Sequence, residues 1–208
     1  MREKGYTPDL VLDIGAEKGT WTQQMTGIYP SAQYMLFEVI PYQELDAFRA
    51  GNASVFNTLL FDSETEVDWF EMRNTGDSIF KERGHAFQNC APVKRMTTTL
   101  ERELCGTDLS RFNNILIKID CQGAEVPILR GAGAEILRRT DFIILEVPLF
   151  GQYNEGVPSF LEHVQYMDSI GFIPFDIADC HYIHGFNRQV DMIFISKTHP
   201  FNTQTEYH

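Results

Sequence analysis

The chain has 208 residues, 43% of them hydrophobic and 22% charged, which is enough to bury a substantial core without disulfide or metal staples. Its formal net charge of -12 argues against a polyanionic partner, because a phosphate backbone is held by clustered Lys and Arg, so nucleic acid is not expected. The N-terminus lacks the apolar core of a signal peptide and no apolar run approaches the roughly 18 residues of a membrane span, so a single cytoplasmic domain over residues 1–208 is expected.

Along the chain, short apolar runs bounded by turn residues predict strands at Leu10 to Ile14, Tyr34 to Phe37, Val55 to Phe61, Ile115 to Ile119, Phe142 to Val147, Phe172 to Ile177 and Met192 to Ile195. Helical patterns fall between them at Thr20 to Thr26, Pro41 to Ala50, Glu125 to Leu129, Ala134 to Arg139 and Ser159 to Ile170. The alternation predicts an α/β fold, a parallel sheet with helices on both faces. The last two strands are too close in sequence for a crossover helix and should pair antiparallel. Within the Ser159 helix, Phe160, Val164 and Met167 share one face, and Gly171 suits its left-handed end. Glu71 to Val93 has no clear period and is read as an insertion, a lid over the ligand edge of the sheet. Cys90, Cys105, Cys121 and Cys180 have no Cys-x-x-Cys spacing and are expected to be reduced thiols, not a zinc site or a disulfide framework.

Ligands of open α/β sheets bind beyond the carboxyl ends of the strands, where strand order reverses. Asp13, Gly15 and Gly19 follow the first predicted strand, and the glycines there allow close approach of backbone to ligand. Glu38 ends the next strand, 23 residues after Gly15, where a carboxylate accepts hydrogen bonds from both hydroxyls of a ribose. That spacing serves nicotinamide and S-adenosylmethionine sites alike. Two features favour the cofactor without phosphate: Glu17 stands where a pyrophosphate fingerprint has its middle glycine, and none of the eight tyrosines has Lys four positions later. An NAD(P)-dependent oxidoreductase is the alternative enzyme, and a cofactor-binding partner module without activity is the alternative outside enzymology.

The segment Asn113 to Ala132, NNILIKIDCQGAEVPILRGA, is a buried strand ending in Asp120, then a turn and a helix that carries Glu125. With DIGAEKGTWT, LFEVIP, NTGDSIF, TTTL, IILEVPLF and GF followed at a distance by QVDMIF, it makes the chain resemble the FkbM-type S-adenosylmethionine-dependent methyltransferases over nearly its whole length. The resemblance implies a Rossmann-like, seven-stranded class I methyltransferase sheet, mostly parallel with an antiparallel last strand. It implies the methionine and sulfonium end of the cofactor near Asp13, Gly15, Ala16 and Gly19, the ribose at Glu38, and the adenine near Asp62 and Ser78. Glu17 departs from the Asn more usual in the family. The family's link to sugars, polyketides and similar metabolites implies O-methylation of a small-molecule, glycan or lipid-linked acceptor.

A hydroxyl acceptor must lose its proton as the methyl group arrives, so a basic group should stand beside it. Asp120 and Glu146 end neighbouring predicted strands and are the expected catalytic pair, acting as base or sharing a divalent cation such as magnesium that lowers the hydroxyl pKa. Their competing role is structural, Asp120 capping the next helix and Glu125 sitting in its first turn. His181, in CHYIHGF, is a further candidate base, with His184 beside it; Lys118, inside a buried run, suits an ion pair or the site, and Asp191, which interrupts an apolar strand, suits the site or the ordering of the neighbouring loop. Phe150, Tyr153 and Asn154, after Glu146, are expected to form the acceptor pocket with the 71–93 insertion.

Overall fold

The computed structural model describes residues 1–150 and 154–203. Strand β1, Leu10–Ile14, is buried at every position, and helix α1, Thr20–Ile28, follows it through a turn with two positive-φ glycines. Strand β2 is Gln33–Phe37 and the edge strand β3 is Ala53–Phe56. The predicted strand at 55–61 is therefore cut short. After Phe56 the chain turns in over β2, Thr58 donating its backbone N–H to the carbonyl of Glu38, and Leu60 pairs only through a bridge to Thr98. The predicted helix at 41–50 is a 3-10 helix, Gln43–Ala50, whose Asp46–Arg49 pair at i,i+3 matches a repeat of three residues per turn.

Two short strands, β4 (Glu66–Trp69) and β5 (Val93–Met96), form an antiparallel ribbon that the sequence reading did not anticipate. Each has only four residues and β5 is mostly exposed, so the short inward side of β4, Val67 and Trp69, is a weak signal. They bracket the predicted insertion, which holds only the 3-10 turn His85–Phe87 and two isolated bridges. Helix α2 (Leu100–Glu103) leads to β6 (Ile115–Ile119), then α3 (Glu125–Arg130), α4 (Ala134–Arg139) and β7 (Thr140–Pro148). Helix α5 (Phe160–Ser169) opens with a Ser159–Glu162 capping box and ends before Gly171, at φ 92°. Its Phe160, Val164 and Met167 pack onto the core as the pattern predicts.

The main sheet has seven strands in the order β3-β2-β1-β6-β7-β9-β8, where β8 is Phe172–Ile183 and β9 is Phe186–Ser196. Every neighbouring pair is parallel except those of β9, which runs antiparallel to β7 and β8. Alternation places Leu10, Leu12, Ile14, Ile117 and Leu145 in one core and Val11, Leu116, Phe142 and Ile144 in the other, so both faces of the sheet are covered. Each such fully buried side chain contributes about 1.5–3 kcal/mol. Among the described residues no helix is long and apolar enough to cross a membrane. The strand order reverses between β1 and β6, and a crevice opens there at the carboxyl ends.

Candidate active site

The β1 turn builds one half of that crevice from backbone. Gly15 has φ 77°, and a Cβ there would lie 2.0 Å from the carbonyl oxygen of Asp120, so only glycine lets the turn rest on the end of β6. The N–H groups of Gly15 and Ala16 bond to the carbonyl of Phe37. Glu17, at φ 47°, donates its N–H to Glu38 Oε2 at 2.8 Å, and Ile40 donates to Glu38 Oε1 at 2.8 Å. Glu17 thus takes a left-handed backbone that is uncommon for residues other than glycine and asparagine. Burial raises the pKa of Glu38, and the donated N–H groups oppose the rise.

Beneath this turn Asp13 and Lys118 are register partners on β1 and β6. Asp13 accepts from the Thr22 hydroxyl at 2.5 Å, and Lys118 Nζ lies 3.8 Å from Asp13 Oδ1 and 3.3 Å from Asp120 Oδ2. Burial alone would lower the pKa of Lys118, but the carboxylates of Asp120 and Asp13 hold it above the usual lysine value. The ammonium is thus a fixed counter-charge.

The β6 turn builds the other half from side chains. Gln122 (φ 52°) and Gly123 (φ 107°) are both left-handed, and the carboxylate Oε1 of Glu125 accepts N–H bonds from Cys121 (2.9 Å) and Gly123 (3.1 Å). Burial pushes the Glu125 carboxyl up to about 7. Gln122 Nε2 reaches Asp120 Oδ1 at 3.3 Å and Glu146 Oε2 at 2.9 Å. Glu146 sits opposite Asp191 in the β7–β9 register, and His181 on β8 holds Asp191 Oδ1 at 3.1 Å through Nε2. Burial, then the neighbouring charge of Asp120, raises the pKa of Glu146 well above the ordinary value; burial also raises that of Asp191.

These elements enclose a cleft of about 1290 Å³, roofed by residues 74–77, Ile79, Glu82, Gly84 and Phe87. Gly15, Ala16, Glu38, Asp120, Glu146 and His181 line it, as do Tyr42, Trp69, Gln122 and Asp191. Among the described residues Lys118 is the only Lys or Arg in its wall.

The profile of the methyltransferase FkbM domain matches residues 13–174. The chain belongs to the FkbM methyltransferase family. Comparison with curated protein sequences finds no match. Among solved structures, an FkbM methyltransferase from Methylobacillus flagellatus KT superposes with a TM-score of 0.57 at 14% identity, over 91% of this chain and 43% of that one. The 1,6-didemethyltoxoflavin-N1-methyltransferase of Burkholderia thailandensis, solved with 1,6-didemethyltoxoflavin and S-adenosylhomocysteine, gives 0.52 at 13% identity, over 94% and 73%. At such identities these two share the fold.

Within this FkbM domain four residues expected at the cofactor lie outside the cleft wall. Asp13 faces inward to Thr22 and Lys118. Gly19, at φ 78°, makes room for the ring of Phe48, which a Cβ would meet at 2.3 Å. Asp62 is exposed and accepts from the Ser63 hydroxyl at 2.7 Å, while the Phe61 carbonyl packs onto Gly131 instead of turning toward the cleft. Ser78 is buried and ties the roof to the β6 turn, donating to the carbonyl of Gln122 at 2.9 Å and accepting from Phe80 N–H at 3.0 Å.

Asp120 and Glu146, candidates for a base or for a shared magnesium ion, meet at the cleft wall. The Gln122 amide donates to both carboxylates and Lys118 approaches the second oxygen of Asp120, so hydrogen-bond donors fill the sector between them. Phe150 is half exposed beneath Arg188 at 4.5 Å, Asn154 bonds the Phe80 carbonyl at 3.0 Å, and Tyr153 lies outside the described residues. Gln122, which lines the cleft and bridges two carboxylates, was missed by sequence reasoning; the signal was its place between Asp120 and Gly123 in a turn that needs left-handed backbone.

Proposed function

We propose that this FkbM methyltransferase transfers a methyl group from S-adenosylmethionine to a hydroxyl of a small-molecule, glycan or lipid-linked acceptor. The observation that carries the reading is an acidic cleft at the β1/β6 switch point whose one Lys is already bound to Asp13 and Asp120. A pyrophosphate has no cation to meet there and would face Glu17 and Glu38, whereas a phosphate-free adenosine bearing a sulfonium suits both the charge and the bare Gly15 backbone. Glu38 has each oxygen fixed by one backbone N–H, which leaves further lone pairs to receive two ribose hydroxyls. This favours the methyltransferase cofactor over NAD(P).

When bound, S-adenosylmethionine supplies an electrophilic methyl group on sulfur. The chain's own contribution is position and proton management. Asp120, partly open to the cleft and held by Lys118 and Gln122, takes the acceptor's hydroxyl proton while the new O–C bond forms and the S–C bond breaks. Glu146, His181 and Asp191 form the acceptor wall, and residues 71–93 cover it. The test is thermal unfolding with S-adenosylhomocysteine, S-adenosylmethionine and NAD(P)H in parallel. A sulfur cofactor at about 100 times its Kd should stabilise by about 2.7 kcal/mol, while NAD(P)H should not shift the transition. A shift with NAD(P)H alone overturns the reading.

A further inference from the structure

On the acceptor side of the cleft, two carboxylates and an imidazole converge from three adjacent strands. Glu146 on β7 and Asp191 on β9 are cross-strand partners, and His181 reaches the same point from β8. One ligand-type atom from each lies within 4.8 Å of the other two. The three side chains line the open cleft, which leaves room on the ion's remaining faces for oxygen atoms of an acceptor.

The charge around them is unbalanced. Glu146 is 8% exposed and Asp191 is half buried, yet among the described residues neither forms an ion pair with a Lys or Arg. The cation of the cleft, Lys118, serves Asp13 and Asp120. Buried carboxylates are normally paired or coordinate a metal, and the side chain that holds Asp191, His181, is itself a metal-ligand type. Burial, then the negative charge of Asp120, raises the pKa values of both acids.

We infer that Glu146, His181 and Asp191 form a divalent-cation site whose open positions take oxygen atoms of the acceptor. The mixed set of two oxygens and one nitrogen suits a first-row ion of the Mn²⁺ type better than Mg²⁺ or Ca²⁺, which prefer all-oxygen cages. The ion's role, lowering the pKa of the hydroxyl whose proton passes to Asp120, rests on the proposed methyl transfer; the site itself rests on the geometry alone.

The experiment is titration of MnCl₂ into the full chain by calorimetry, with loss of the free Mn²⁺ signal in electron paramagnetic resonance as a second readout. MgCl₂ and CaCl₂ are run alongside. One Mn²⁺ per chain is expected, bound more tightly than either hard ion and weakened at least about tenfold in Glu146→Gln, Asp191→Asn and His181→Ala, with Asp62→Asn as the unchanged control. His181 is 39% exposed at its side chain, so its variant keeps the test informative if the buried carboxylate variants fold poorly. Absence of Mn²⁺ binding at about 1 mM, or binding that all three variants retain, overturns the site. S-adenosylhomocysteine binding is measured on the same samples without metal. Its failure beside intact Mn²⁺ binding counts against the methyltransferase cofactor reading and leaves the ion site standing, while the reverse result removes the ion site only.

Discussion

The two halves of the cleft are made differently. At the ends of β1 and β2 the wall is backbone: Gly15 rests on the Asp120 carbonyl, Gly15 and Ala16 bond Phe37, and Glu38 is fixed by two N–H groups. At the ends of β6, β7, β9 and β8 it is side chain, with Asp120, Gln122, Glu146, His181 and Asp191 drawn from turns and strands far apart in sequence. A backbone wall has one shape and suits a ligand that never changes. A side-chain wall can be rebuilt residue by residue, and burial raises the pKa values of its acids Glu146 and Asp191.

The sharpest way to break this contrast is Asp120→Asn. It should lower kcat by about 10²–10⁴ while S-adenosylhomocysteine affinity, read by calorimetry, stays close to wild type. An equal loss in affinity would mean that Asp120 belongs to the cofactor wall. Gly15→Ala should act on the opposite half and on the fold: an added Cβ meets a carbonyl oxygen at 2.0 Å in a left-handed residue, so urea denaturation should show a loss of about 2–4 kcal/mol. Glu38→Gln should weaken S-adenosylmethionine binding by about 10–100-fold with little change in kcat at saturating cofactor, since hydrogen bonds to a charged group carry about 1.5–3 kcal/mol. An unchanged Kd would remove the ribose assignment.

The smallest effect concerns pH and the turn that joins the halves. Burial pushes Glu125 up to about 7 in the folded protein against 4.5 unperturbed, and the half-buried Asp141, beside the Tyr6 hydroxyl, up to about 6 against 3.8. The native state therefore binds more protons than the unfolded chain across these windows, and stability falls as pH rises through them. Thermal scans should give a higher Tm for wild type near about pH 5 than near about pH 8, and Glu125→Gln, whose amide oxygen still accepts both N–H bonds, should flatten part of that slope. A slope unchanged by the substitution would show that Glu125 is ionised throughout.

The same contrast decides what could be read from sequence. The β1 turn lies within a few residues, and its glycines, its acid at position 38 and the buried runs of β1 and β6 are local patterns with a physical cause, so strand ends and the crevice were legible there. Helix α4 and the antiparallel β8–β9 pair followed from the same logic. The ribbon of β4 and β5 was not legible because each strand has only four residues, and the alternation of Val67 and Trp69 with Glu66 and Asp68 is too short to stand out beside the mostly exposed β5. Asp62 stands away from the cleft wall because the chain leaves β3 earlier than its hydrophobic run, and Asp13 was ambiguous because an acid at a strand end reads the same whether it meets a ligand or a buried lysine. The grouping of Glu146, His181 and Asp191 depends on the register of three strands, which no single stretch encodes.

The contact between Gly15 and the carbonyl of Asp120 has a further consequence for how such an enzyme diversifies. It joins the loop proposed to hold the methyl donor to the residue proposed to accept the proton through main chain alone, so the spacing between them is inherited with the sheet and not with any rotamer. Substitutions in the roof then alter what is brought to the reaction without moving the donor loop against Asp120, and new acceptors can be explored at constant geometry.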